Sequence, residues 1–152
     1  LSVADTDARC VTTAVSEFDV HVVPPRSVHA TQADIFAPCA IGGILNASTI
    51  PEIKARLVVG AANNQLATPE DADALHARGI LYLPDYVSNG GGIINVDAEI
   101  LEITDSAPWV DDRIASMQAK MTQILASARR DGLSPARVAD RMFEDQLLQV
   151  AV

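Results

Sequence analysis

The chain is poor in lysine. Only Lys54 and Lys120 are present, and 11 basic residues in all stand against 20 acidic ones, for a formal net charge of -9. No basic run survives that balance, so the electrostatic footprint of a nucleic-acid binder is missing and anionic membrane surfaces are poor partners. Cysteine is equally scarce: Cys10 and Cys39 lie far apart with no CxxC pattern, too few for a disulfide framework in a chain of 152 residues, which fits a reducing, cytoplasmic setting. His21, His29 and His76 are scattered among different segments without carboxylates or cysteines at ligand spacing, so no metal site is expected and all three are read as solvated. No apolar stretch reaches the roughly 18 to 20 residues of a membrane span, and no charged leader precedes an apolar region and a cleavage site. There is no Ser-His-Asp arrangement, no nucleophile elbow, no internal repeat and no low-complexity linker. The first residue is Leu1 rather than Met, inside an apolar run.

What is present is ordinary globular material, 49% hydrophobic and 20% charged. "LSVAD", "VHVVP", "ADIFAP", "RLVVGA" and "ILYLP" read as strands. Between them lie helical patterns: "ARCVTTAVSEF" with Val11, Ala14, Val15 and Phe18 on one face, "STIPEIKA" with Ser48 as a cap, and "TPEDADALHARG" running from Thr68 and Pro69 to a terminating Gly79. Strands that are apolar along their whole length, alternating with helices, predict an α/β fold with a parallel sheet covered on both faces. After "ILYLPDYVSNGGGIINVDAEI" the strand signal stops. Val110, Ile114, Met117, Met121, Ile124, Leu125 and Ala128 then recur at helical spacing as a core-packing stripe, and Ser134 with Pro135 restarts a last helix. The boundaries expected are 1–104 for the α/β portion and 105–152 for a helical extension packing on it or bridging from it.

The small and polar clusters all follow strands. Asp5 ends the first, "PCAIGG" follows "ADIFA", "AANN" follows "RLVVG", and "PDYVSNGGG" follows "ILYL". Ligands of doubly wound sheets bind beyond the carboxyl ends of parallel strands, so an extended ligand crossing several strand ends is implied. A dinucleotide has that shape. Asp5 stands where an acidic residue accepts hydrogen bonds from ribose hydroxyls and repels a 2'-phosphate, which selects NAD over NADP. The alternative is that Asp5 or Asp7 only caps the following helix. The glycine fingerprint belongs roughly 20 residues earlier and has no counterpart here. The fold class is therefore a partial Rossmann-like doubly wound parallel sheet, its first strand and glycine-rich turn absent, followed by C-terminal helices; the expected chain start is the second strand. Asn63 donates and accepts at once, which suits a ribose hydroxyl or a substrate carboxylate. Asn64 is read as bracing the loop, and paired amides in a tight turn also serve as local backbone caps.

"VADTD", "DIFAPCAIGGILN", "VVGAANNQL" and "RGILYLPDYVSNGGGIINV" resemble the coenzyme-binding half of the leucine, phenylalanine and valine dehydrogenases, and the likeness extends to the closing "SPARVADRM". The resemblance implies NAD-dependent oxidative deamination of an L-amino acid to a 2-oxo acid and ammonia. Glutamate dehydrogenases share the architecture but typically read like "GANGPT" after the strand, so the double asparagine favours the branched-chain and aromatic group. By resemblance the cofactor residues are Asp5, Thr6, Pro38, Cys39, Ala40, Ala61, Ala62, Asn63 and Asn89, with Cys39 packing near the adenosine. Asn63, Ile93 and Val96 face the substrate, and the two β-branched residues suit a small branched aliphatic side chain. The alternative for Ile93 and Val96 is core packing. Gly90 departs from the family's usual alanine.

No catalytic residue is expected within the chain, since neither lysine lies in a matching motif and the family's catalytic lysines and aspartate belong to a preceding substrate domain. The partners implied are that domain, the amino-acid or 2-oxo-acid substrate, and further copies in a homo-oligomer. Two other readings stay open: a stand-alone nucleotide-binding or regulatory module, and an oligomer-forming interaction fragment with no ligand.

Overall fold

The computed structural model describes residues 1–150. Five short strands and six α-helices follow one another: β1 (Ser2–Val3), α1 (Ala8–Glu17), β2 (His21–Val22), β3 (Ile35–Phe36), β4 (Leu57–Val58), α2 (Asp71–Ala77), β5 (Leu81–Tyr82), α3 (Asp85–Ser88), α4 (Gly91–Ile100), α5 (Ser106–Asp131) and α6 (Pro135–Val150). The segments around Val28 and Pro51 form 3-10 turns. Every strand pairing is parallel.

The strands form two sheets rather than the single one expected, β1-β2 and β3-β4-β5. Between them runs a groove of about 570 Å³, lined by Leu1 to Asp5 on one side and Ala33 to Ile41 on the other. Among the described residues no backbone pairing joins β1 to β3. Register explains the core. Phe36, Val58 and Tyr82 stand in one row across β3-β4-β5 and are all buried, packed with Leu45, Ile53 and Leu75. The neighbouring row, Ile35, Leu57 and Leu81, points the other way, and Ile35 and Leu81 are exposed. Helical cover on both faces is thus met on one face only. α1 differs in the same way: Val15 and Phe18, expected to be buried, are exposed, and no residue of that helix is buried.

A second core joins the helices, with Val87 of α3, Ile124 and Ala128 of α5, and Val138 and Ala139 of α6. The Met and aliphatic stripe therefore packs as expected around Ile124 and Ala128, with Met121 against them. Gly132, at φ 67, ends α5, and Ser134 Oγ accepts from the Arg137 N–H to open α6. Side-chain hydrogen bonds fasten α6 to the α/β portion. Arg137 Nη2 donates to Asp73 Oδ2 at 2.7 Å, and Tyr86 Oη donates to Asp140 Oδ1 at 2.6 Å. His29 corrects the reading of solvated histidines. It is buried under its 3-10 turn, 3.0 Å from Glu52 Oε2, while His21 and His76 are exposed. Among the described residues no helix is long and apolar enough to cross a membrane.

Candidate functional site

Because all five strands run parallel within their sheets, the segments that follow β3, β4 and β5 emerge at one rim, and the main chain knits them together. Gly60 lies so close to Pro38 that any side chain would collide with the Pro38 backbone; this close approach, not φ, is why the position is glycine. One turn on, the Ala62 N–H donates to the Pro38 carbonyl at 3.0 Å. The Asn64 carbonyl accepts from Gly43 N–H at 2.7 Å, and Gly42 passes tightly over the carbonyls of Asn63 and Asn64. Gln65, fully buried, donates through Nε2 to the Gly60 and Ala62 carbonyls at 2.8 and 2.9 Å, closing the loop from beneath.

This framework brings the two asparagines together. Asn89 Nδ2 donates to Asn63 Oδ1 at 2.6 Å and reaches the Ala61 carbonyl at 3.4 Å. Asn63 Nδ2 and Asn89 Oδ1 make no hydrogen bond among the described residues, so one donor and one acceptor remain at the rim. Asn64 does brace the loop, through its main chain rather than its side chain. It adopts φ 52, a left-handed conformation that asparagine tolerates better than most residues, and its N–H donates to Asp85 Oδ2 at 2.9 Å. Asp85 Oδ1 in turn accepts from Tyr82 Oη at 3.3 Å. Burial, reinforced by the Asp85 charge, pushes the Tyr82 hydroxyl far above the ordinary tyrosine range, so it stays a donor.

The remaining predicted residues are spread over the groove, the loop after β4 and α4. Asp5 shares the groove with Pro38, Cys39 and Ala40, whereas Thr6 is exposed and does not line it. Asp5 Oδ1 accepts from the Asp7 N–H at 2.8 Å, and Asp7 caps α1 by accepting from Arg9 N–H. Capping of the helix itself thus belongs to Asp7, held below the usual carboxylate range chiefly by the Arg9 side chain; Asp5 braces the turn with one oxygen and keeps the other open. Cys39 is exposed rather than packed, and Pro38 is the buried member of the trio. Ala62 is buried and Ala61 exposed. Ile93 and Val96 are exposed on α4, so neither has gone into the core. Gly90 starts α4 against Met117, whose Sδ would stand 3.2 Å from an added Cβ. Lys54 lies on the N-terminal side of β4, away from the rim.

The sequence reading missed Asp85, Tyr82 and Gln65. Asp85 had a signal, an acidic residue opening the helix that Asn89 ends, but its partner Asn64 is 21 residues away. A separate crevice of about 260 Å³ lies among the helices, bounded by Val87, Ile94, Met117, Ile124 and Phe143, with Arg113 and Lys120 at its edge. None of the predicted site residues lines it.

A profile of the glutamate/leucine/phenylalanine/valine dehydrogenases matches residues 2–137. The chain is 40% identical over 147 residues to leucine dehydrogenase of Geobacillus stearothermophilus, spanning 97% of this chain and 40% of that relative. To valine dehydrogenase of Streptomyces albus it is 44% identical over 127 residues, or 80% of this chain and 33% of the relative. Its fold superposes on the crystal structure of L-tryptophan dehydrogenase from Nostoc punctiforme with a TM-score of 0.91 and 37% identity, covering 98% of this chain and 45% of that one. All three relatives are amino-acid dehydrogenases by name, and the chain spans less than half the length of each.

Proposed function

The chain belongs to the glutamate/leucine/phenylalanine/valine dehydrogenase family, and from that premise we propose that it forms the coenzyme-binding part of an NAD-dependent L-amino-acid dehydrogenase. The complete enzyme oxidatively deaminates a branched-chain aliphatic amino acid to its 2-oxo acid and ammonia. The carboxamide pair carries this reading. Asn63 and Asn89, locked at 2.6 Å, present a free N–H and a free carbonyl side by side at the strand-end rim, a pairing suited to a substrate carboxylate together with a ribose hydroxyl or a nicotinamide amide.

NAD fits the residues present. Asp5 has an uncommitted carboxylate oxygen for adenine-ribose hydroxyls, and none of the described residues lining the groove it shares with Pro38, Cys39 and Ala40 is an arginine or lysine that would receive a 2'-phosphate. Thr6, exposed beside Asp5, and the exposed Ala61 extend the cofactor surface, and the buried Ala62 supports it from within. When bound, the dinucleotide supplies the hydride acceptor. The chain's own residues hold and orient: Asp5 fixes one end, and Asn63 and Asn89 position the reacting end. Ile93 and Val96, exposed three residues apart on α4, form one wall of the substrate side-chain pocket.

Residues 1–104 act as the nucleotide portion and 105–152 as its helical extension. The body of the groove between β1 and β3 takes the first strand of the dinucleotide fold, with its glycine-rich turn, since the order of that fold places this strand between its second and fourth. This leaves the Asp5, Pro38 and Cys39 end, at the strand carboxyl ends, to the cofactor. A substrate domain outside residues 1–152 brings the acid-base groups, and the complete enzyme assembles from several copies.

Steady-state kinetics of the complete polypeptide with NAD on leucine, valine, isoleucine, phenylalanine and tryptophan tests this. The expected result is turnover of the aliphatic substrates above the aromatic ones. An aromatic preference of more than about tenfold, beyond the ~1 to 3 kcal/mol that one methylene changes in such a pocket, overturns the aliphatic assignment. NAD binding without turnover of any amino acid favours a regulatory module instead.

A further inference from the structure

We propose that Asp85 is the positioning residue of the carboxamide pair, setting where Asn63 and Asn89 stand relative to one another. The inference rests on the dehydrogenase reading for its kinetic consequence and on geometry alone for the positioning itself. Asp85 holds both partners. Through its side chain, Oδ2 accepts from the Asn64 N–H at 2.9 Å; through its main chain, its carbonyl accepts from the Asn89 N–H at 2.9 Å. One residue therefore links the loop after β4 to the end of α3, and the Asn63 to Asn89 bond closes the ring.

The Asn64 contact matters because of the conformation it holds. At φ 52 the chain reverses between Asn63 and Gln65, and an extended residue at that point would carry Asn63 away from Asn89. Tyr82, whose side chain is buried in the core, holds the other carboxylate oxygen from the sheet side, so the carboxylate is aimed by a rigid strand rather than a loop. Both oxygens are occupied as acceptors. Asp85 is thus not placed to move a proton; it acts through Asn63 and Asn89.

Two variants separate position from charge. Asp85→Asn keeps the side-chain length and an oxygen for Asn64, and its amide N–H can donate to the Tyr82 hydroxyl. Asp85→Glu keeps the charge but displaces the carboxylate by one methylene. In the complete polypeptide, kcat/KM for the amino acid should fall by about tenfold or more in Asp85→Glu and remain within about threefold of wild type in Asp85→Asn. Combined with Asn63→Ala, Asp85→Glu should add little further loss, since both act on the same contact. The reverse ranking, or a fully additive double variant, overturns the proposal. If wild type turns over no amino acid, the dehydrogenase reading fails and a crystal structure of the Asp85→Glu variant decides the positioning by itself. Loss of the Asn63 to Asn89 hydrogen bond supports it, and retention of that bond overturns it.

Discussion

Asn63 and Gly60 lie three residues apart in one loop and answer to different constraints. Asn63 is exposed, and its side-chain bond is to Asn89. Replacing it with Leu should lower kcat/KM by roughly 10- to 100-fold, while the thermal midpoint shifts little, because exposed substitutions are usually worth within about 0.5 kcal/mol. A variant that unfolds readily yet turns over normally when folded would assign Asn63 to loop bracing. Gly60 carries no ligand role of its own. Gly60→Ala forces a methyl into the Pro38 backbone, which cannot swing aside as a side-chain tip can, so the expected cost is about 1 to 3 kcal/mol or more in denaturant unfolding; an unchanged midpoint would contradict the close approach. Asp5→Ser should narrow the preference for NAD over NADP, read as the ratio of kcat/KM values, and equal use of the two by the unmodified enzyme would remove Asp5 from the ribose. The asparagines drew attention only in combination with the other polar clusters at strand ends, since paired amides in a turn also serve as backbone caps; the fold brings Asn63 and Asn89 within one hydrogen bond. Asp85 and Gln65 were not legible, since their work is done on main-chain groups that only the folded loop brings near.

Elements were legible where local chemistry decides them. Gly79 and Gly132 take the left-handed conformations that end α2 and α5, and Ser134 with Pro135 opens α6. At the start of α2 the Asp71 carboxylate accepts from the Thr68 N–H and hydroxyl, so the acidic residue rather than the threonine supplies the acceptor. What failed was burial. The apolar residues Val15 and Phe18 of the α1 segment and Ile35 and Leu81 of the sheet are exposed, and a periodicity marks an apolar face without showing what packs on it. The contact between α2 and α6 has a pH signature. The Arg137 hydrogen bond holds the Asp73 carboxyl below its usual range, so its contribution is fully present above the unfolded aspartate value of about 3.9 and is lost as pH falls through the lower folded value. The difference in thermal midpoint between wild type and Arg137→Ala should be constant well above the ordinary aspartate range and shrink as the pH falls below it. A difference unchanged at the acid end would place the stabilisation in packing of the arginine stem.

Across the whole molecule, two parallel sheets flank one groove, and the apolar row of Ile35 and Leu81 beside it is exposed. Three of the four clusters of small and polar residues at strand ends share one rim because β3, β4 and β5 run parallel in one sheet, while Asp5 follows β1 of the other sheet. That the rim is built around a bonded Asn63–Asn89 pair, with Asp5 across the groove from Cys39, emerges only from the folded chain. The most direct measurement is a crystal structure of the complete polypeptide with NAD. The account predicts the adenine-ribose hydroxyls at the Asp5 carboxylate and the nicotinamide beside Asn63 and Asn89; a dinucleotide seated elsewhere, such as the crevice beside Arg113 and Lys120, would contradict it.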